Sequence, residues 1–267
     1  MRTQGEPMAD RGVSRRQLLL ATGLMALAAL GPGPSLAGEA MIAVASNFDR
    51  TARELEARFE ETGIHSITIV SGSTGKLYAQ IVNGAPFDAF LSADALRPSL
   101  LEAEGRAVEG SRFTYALGRL CLWSPDPRRV AMDGIQTLRA GDFRRLAVAN
   151  PRLAPYGAAA LNTLRAYALD ETLADRLVMG ENVGQAYSMV ATGNAELGFV
   201  ALAQVLTLHE AAAGSRWDVP ADLHDPIRQD AVLLRHGESN TAAAGFLRFM
   251  RSPEGRRLIQ SFGYEVE

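Results

Sequence analysis

The chain has a single cysteine, Cys121, so no intramolecular disulfide can staple it. That residue sits in the apolar run "RLCLWS", where a buried strand position is expected. An excess of basic charge is also lacking: the net charge is −3 at pH 7, which leaves no electrostatic footprint for nucleic acid. The apolar run Leu18 to Leu30 falls short of the roughly 20 residues that span a bilayer, which argues against a membrane anchor. Catalytic signatures are missing too. His65, His209, His224 and His236 lie in no triad and no G-x-S-x-G context, so a serine hydrolase has no base. The pair His224-Asp225 is isolated and the "SAD" turn offers only Asp94, so neither assembles a divalent metal site. Glu60 and Glu61 fall on the polar face of an expected helix, where solvated charge is the default.

The N-terminus, by contrast, carries a clear pattern. Arg15 and Arg16 precede the apolar run, and Ser35-Leu36-Ala37 supplies the small residues of a cleavage site. Residues 1–37 are therefore expected to be an export signal, removed after Ala37, with "SRRQLL" pointing to the twin-arginine route. No cysteine lies near its end, which excludes lipid attachment there. The mature chain, Gly38 to Glu267, is then a soluble periplasmic protein. Its 47% hydrophobic and 21% charged residues are ordinary for a globular fold, and its length suffices for one large domain or two small ones.

After the signal, strand-like and helix-like segments alternate. "MIAVAS", "HSITIVS" and "FDAFLSAD" read as strands, and "FDRTARELEARFEETG" and "TGKLYAQIVNG" as amphipathic helices between them. "RFTYALGRLCLWSP" is long and apolar enough for one strand that carries the chain into a second set of elements. That set comprises "RRLAVANP", "GAAALNTLRAYALD", "RLVMG", "VGQAYSMVATG" and "AELGFVAL". "IRQDAVLLRHG" reads as a return strand, and helices close the chain. The expectation is an α/β architecture with mostly parallel strands in two lobes joined by crossing strands. Lobe 1 would hold residues 38–117 with 230–267, and lobe 2 residues 118–229. Ligands in such folds bind where strand C-termini meet helix N-termini.

The stretch "VSGSTGKLYAQIVNG" looks like a phosphate loop, but counting back five from Gly75 gives Val70, and Lys76 is followed by Leu77. Both ends of the Walker motif therefore fail. What survives is a strand, a small-residue turn and a helix start, where unpaired N–H groups and the helix dipole can hold an anion. Three more segments share that plan: "AVASNFD" with Ser46 and Asn47, "NPRLAPYGAAA" with Tyr156 and Gly157, and "ENVGQAY" with Asn182 and Val183. Taken singly, each is most economically a helix cap. Four of them, spread over both halves, could form a cage of donors around one oxyanion. Lys76, second in its helix after Gly75, is expected to point to solvent more readily than to a ligand.

These blocks, with "GAPFDAFLSAD", "GSRFTYALGRLCLWS", "GFVALAQ" and the closing "GYEV", make the mature chain resemble the periplasmic molybdate-binding proteins of ABC importers, members of the class II solute-binding fold. The resemblance implies a non-enzymatic protein that binds molybdate, and tungstate with it, needs no cofactor, acts as a monomer and delivers its ion to a membrane permease. It implies that hydroxyls and backbone amides at helix starts hold the ion: Ser46, Asn47, Thr74, Tyr156 and Val183, the last through its backbone N–H only. Many members carry serine where this chain has Thr74, and a small residue and a tyrosine where it has Tyr156 and Ala201. The phenol is therefore expected to come from Tyr156. The residues alone leave open a binder of another oxyanion or a small organic acid, or an exported enzyme acting on an anionic metabolite. Thr74→Val is expected to weaken binding with little loss of fold.

Overall fold

Strand β1 (Glu39–Ala45) is hydrophobic on both faces, which a strand needs when helices cover both sides of its sheet. In the computed structural model Ile42 and Val44 enter one buried cluster while Ala43 enters another, as the period of two dictates. The structure describes residues 38–61, 63, 65–206 and 213–266, together with Met1 and Gly5. The expected export signal lies outside the described residues, apart from those two positions. Chain contacts separate Met1–Leu36 from Ala37–Glu267, and the second unit is the fold described below.

The first sheet has the order β2-β1-β3-β10-β4, built from β1, β2 (Ser66–Gly72), β3 (Ala89–Leu91), β4 (Phe113–Gly118) and β10 (Ile227–Leu233). The second repeats that plan as β7-β6-β8-β5-β9, from β5 (Leu120–Ser124), β6 (Leu146–Ala149), β7 (Leu177–Gly180), β8 (Leu197–Ala201) and β9 (Ser215–Asp218). In each sheet a central strand runs parallel to two neighbours, β1 to β2 and β3, and β6 to β7 and β8. The crossing strands run against them: β10 is antiparallel to β3 and β4, and β5 to β8 and β9. The mostly parallel sheet expected from alternation is thus corrected to two mixed sheets, because the strands that carry the chain between sheets return in the opposite sense. The single long strand expected over "RFTYALGRLCLWSP" is corrected as well. It breaks at Arg119, and β4 and β5 join different sheets.

Helices flank both sheets. Helices α1 (Asp49–Glu61), α8 (Thr241–Arg251) and α9 (Pro253–Ser261) pack on one face of the first sheet, with Leu55, Phe246 and Ile259 fully buried or nearly so. Helices α2 (Thr74–Val82) and α3 (Leu96–Ala103) bury Leu77, Ile81 and Leu101 on the other face. Around the second sheet, α4 (Gly134–Ala140) and α5 (Pro155–Ala166) cover Leu122, Val148 and Phe199. Helices α6 (Val183–Ala191) and α7 (Leu202–Leu206) cover Cys121, Trp123 and Val200. Cys121 is wholly buried, as its apolar run implied, and burial pushes its thiol pKa up. Among the described residues, no helix is long and apolar enough to cross a membrane.

The connections set up the site. Helices α1, α2, α5 and α6 each begin within a few residues of the C-terminal end of β1, β2, β6 and β7. Pro155 opens α5, where its fixed φ suits the first turn and its missing N–H costs nothing. Gly157 follows in that turn, because a Cβ there would lie 2.2 Å from the Ala149 carbonyl oxygen that ends β6.

Candidate functional site

The helix starts of the two sheets meet. Gly184 N–H, in the first turn of α6, donates to Ser46 Oγ at the end of β1 over 3.2 Å. Gly75 N–H, in the first turn of α2, donates to the Leu153 carbonyl before α5 over 2.8 Å. Tyr156 Oη accepts from Gln229 Nε2 of β10 over 3.4 Å. Ala45 and Ala93 from the first sheet's side share one buried cluster with Tyr156, Val183 and Ala201 from the second. Ser46, the Ser73–Gly75 turn, Tyr156 and Val183 are thereby gathered along one seam.

Within that seam the hydroxyls have an unusual balance. Ser46 Oγ accepts from Gly184, Thr74 Oγ1 accepts from Ala93 N–H over 3.1 Å, and Tyr156 Oη accepts from Gln229. Among the described residues, none of the three hydroxyls donates its proton to a protein acceptor. Ser73 goes further: it is 1% exposed, and among the described residues its Oγ has no hydrogen-bond partner. It occupies the N-cap position of α2 with extended backbone, yet its side chain makes no capping bond. An unmade hydrogen bond on a buried hydroxyl costs about 1 to 3 kcal/mol, so such an atom calls for an explanation. In the sequence Ser73 stands with Thr74 in the "SGSTGK" helix start, where Ser and Thr read alike as caps; only the burial and the missing partner set it apart.

Asn47 plays a different part from the one its position suggests. Its side chain is buried, and Nδ2 donates to Gln229 Oε1 over 2.7 Å and to the Tyr264 hydroxyl over 3.2 Å. Both amide protons are therefore committed inside the protein, and only its backbone N–H could serve a ligand. Val183 is 3% exposed and stands at the first position of α6, whose start is capped by Asn182 accepting from Gln185 N–H over 2.9 Å. Its side chain packs into the cluster, which leaves the backbone N–H as its polar group. Tyr156 is buried, and desolvation, first among the causes, raises its pKa well above the ordinary phenol value. The phenol is therefore a neutral hydroxyl at any physiological pH.

Lys76 faces solvent, as expected, with its side chain 52% exposed. Its Nζ reaches across the seam to both carboxylate oxygens of Glu181, at 3.1 and 3.0 Å. Arg97, beside it, pairs with Asp94 and also touches the Arg152 carbonyl at 3.4 Å. Both cations are thus paired with carboxylates at the rim. A groove of about 470 Å³ opens beside them, lined by Ser46, Asn47, Asn182 and Gly184 and also by Arg50 and Arg53.

Two of the described histidines serve structure: His65 accepts from Gly38 N–H, and His236 faces the buried Asp88 carboxylate at 3.2 Å. Glu60, expected to be solvated, instead accepts from Ile67 N–H over 2.7 Å and ties α1 to β2. Among the described residues, no group of three His, Cys, Asp or Glu side chains could hold a metal ion. The seam can present neutral O–H and N–H donors to an acceptor-rich, deprotonated anion.

Comparison with known proteins places the chain in a family. Residues 40–265 match the family model described as bacterial extracellular solute-binding protein. The chain is 44% identical over 255 residues to the molybdate-binding protein ModA of Azotobacter vinelandii, covering 96% of this chain and 98% of the relative. It is 47% identical over 234 residues to ModA of Rhodobacter capsulatus, covering 88% and 91%. The solved structure of the Azotobacter vinelandii periplasmic molybdate-binding protein superposes with a TM-score of 0.82 at 40% identity, covering 85% of this chain and 99% of that one.

Proposed function

As the chain belongs to the bacterial extracellular solute-binding protein family, and is similar over nearly its whole length to molybdate-binding members, we propose that it binds molybdate in the seam between its sheets and delivers it to an ABC importer. It is a binding protein and not an enzyme. We place it in the periplasm as a soluble monomer after removal of residues 1–37, with lobes of residues 38–117 plus 230–267 and 118–229. Tungstate, equal in charge and close in size, is proposed to bind as well.

The observation that carries this reading is the set of hydroxyls at Ser46, Ser73, Thr74 and Tyr156, none of which donates to an acceptor among the described residues. We assign these, with the backbone N–H groups of Asn47 and Val183, to the ion. A hydrogen bond to a charged group contributes about 1.5 to 3 kcal/mol, so several neutral donors can offset the desolvation of a dianion without an arginine. Molybdate is fully deprotonated at neutral pH and only accepts. Phosphate keeps a proton that needs an acceptor, and sulfate is too small to reach every donor, leaving some unsatisfied at about 1 to 3 kcal/mol each. Lobe closure on the ion would present one surface to the permease, with Lys76 and Glu181 meeting across the rim.

A thermal-shift panel with molybdate, tungstate, sulfate, phosphate and ATP tests the proposal. A ligand at 100 times its Kd adds about 2.7 kcal/mol to stability, and molybdate and tungstate are expected to do so. Equal protection by sulfate, or none by molybdate, would overturn it.

A further inference from the structure

Beneath the seam lies a buried relay that joins the two lobes, and its polarity is set by one backbone carbonyl. The Tyr264 hydroxyl gives its only proton to the Asn47 carbonyl, over 2.8 Å. Its oxygen must then receive a proton from the Asn47 side chain, 3.2 Å away, which forces Nδ2 to that side. The other Nδ2 proton faces the Gln229 amide at 2.7 Å and can only meet its oxygen. The Tyr115 hydroxyl, whose proton also has the Ser92 carbonyl within 3.0 Å, lies 3.1 Å from that same oxygen. A shift in register between Gln229 and Asp230 leaves Tyr115 as the extra residue of β4, which brings its phenol there. With Oε1 so engaged, Nε2 is left for Tyr156 Oη at 3.4 Å, and Gln229 is wholly buried with no alternative. Gly118 makes room for the meeting, since a Cβ there would lie 2.2 Å from Oη and 2.6 Å from Nε2.

The Tyr156 oxygen thus faces a donor on its protein side, and its own proton is directed elsewhere. We propose that Gln229 is the positioning residue that holds the Tyr156 hydroxyl as a donor toward the bound oxyanion, and thereby selects fully deprotonated anions over protonated ones. This rests on the reading of the seam as an oxyanion site. Without Gln229, the phenol can turn its oxygen to the ligand and accept a proton from it, and a protonated anion such as phosphate loses its handicap.

Calorimetric titration of wild type, Gln229→Met and Gln229→Glu with molybdate and with phosphate tests this, with melting temperature followed in parallel. Gln229→Met is expected to weaken molybdate roughly ten- to a hundredfold and phosphate less, so the ratio of the two affinities narrows. A merely structural residue would lower both together. In Gln229→Glu, an ionised carboxylate takes the phenol's proton, so molybdate affinity is expected to fall as pH rises from 6 to 9 while wild type stays level. In the Tyr156→Phe background, Gln229→Met is expected to change the ratio no further. An unchanged ratio in Gln229→Met, or a level pH profile in Gln229→Glu, would overturn the proposal. Wild type that ignores molybdate would instead overturn the oxyanion reading beneath it. Where the variants do not fold, the ¹³Cζ resonance of Tyr156, assigned by its loss in Tyr156→Phe, reads the phenol directly. A shift to the donor state on adding molybdate supports the relay, and no shift refutes it.

Discussion

Replacing Ser73 by alanine should move stability and affinity in opposite directions. Ser73 Oγ is buried without a partner, and its side chain does not cap α2. The usual cost of losing an N-cap side chain, about 0.5 to 2 kcal/mol, therefore has no bond to come from. Deleting an unsatisfied buried hydroxyl instead relieves part of its desolvation penalty of about 1 to 3 kcal/mol, so the ligand-free protein is expected to unfold at equal or higher denaturant concentration. Binding goes the other way: one hydrogen bond to a dianion is lost, about 1.5 to 3 kcal/mol, which raises the molybdate Kd roughly 10- to 150-fold. Thr74→Val provides the contrast. Its hydroxyl accepts from Ala93 N–H, so valine strands a buried donor and should cost about 1 to 3 kcal/mol of stability as well as affinity. That revises the expectation of little loss of fold drawn from the sequence. Urea denaturation without ligand and calorimetric titration with molybdate give the two numbers for each variant. If Ser73→Ala destabilises the free protein as much as Thr74→Val does, or binds molybdate like wild type, the assignment of Ser73 to the ion is wrong.

Three further outcomes are expected. Gly118→Ala places a methyl group 2.2 Å from the Tyr156 oxygen, so it should weaken molybdate at least as much as Tyr156→Phe and lower the melting temperature; a variant that binds normally would separate Gly118 from the phenol's seat. Lys76→Ala removes a rim pair whose side chains are 52% and 35% exposed, worth about 0.2 to 1 kcal/mol, so the Kd should rise less than about sixfold and the difference should fade in high salt. A salt-insensitive loss of a hundredfold would make Lys76 a ligand after all. Burial raises the pKa of Tyr115, Tyr156 and Tyr264 in the folded protein, whereas in the unfolded chain phenols titrate near 10. Below that pH both states hold the protons and stability is indifferent to them. Above it only the unfolded state releases them, so stability should fall by about 1.4 kcal/mol per pH unit for each phenol, as read by denaturation between pH 9 and 11.

Strand and helix order was legible in the sequence because it rests on local periodicity. Ile42 and Val44 on one face of β1 with Ala43 on the other, and Leu77 and Ile81 on one side of α2, are patterns that neighbouring residues write without help from the rest of the chain. The helix starts that carry Ser46, Thr74, Tyr156 and Val183 were legible for the same reason, since small polar residues between a strand and a helix mark that junction wherever it occurs. What those residues do was decided elsewhere. Whether a hydroxyl at a helix start caps it, accepts from a distant amide or keeps its proton for a ligand depends on partners remote in the chain, such as Gly184 for Ser46 and Ala93 for Thr74.

Lys76 shows the limit from the other side. Its sequence neighbours placed it on a solvated helix face, yet its partner, Glu181, lies 105 residues away across the seam. Gln229 shows it most plainly: it stands between Arg228 and Asp230 in "IRQDAVLL", and nothing local sets it apart or names its partners. Asn47, Tyr115 and Tyr156 reach it, and Tyr264 reaches Asn47, only when the chain has crossed between the sheets and returned. The sequence by itself determined most of the elements and marked the helix starts, because both follow from residue type and short-range spacing. Only the tertiary structure decided which protons stay available to a ligand, because hydrogen-bond polarity is settled among groups that meet solely through the fold.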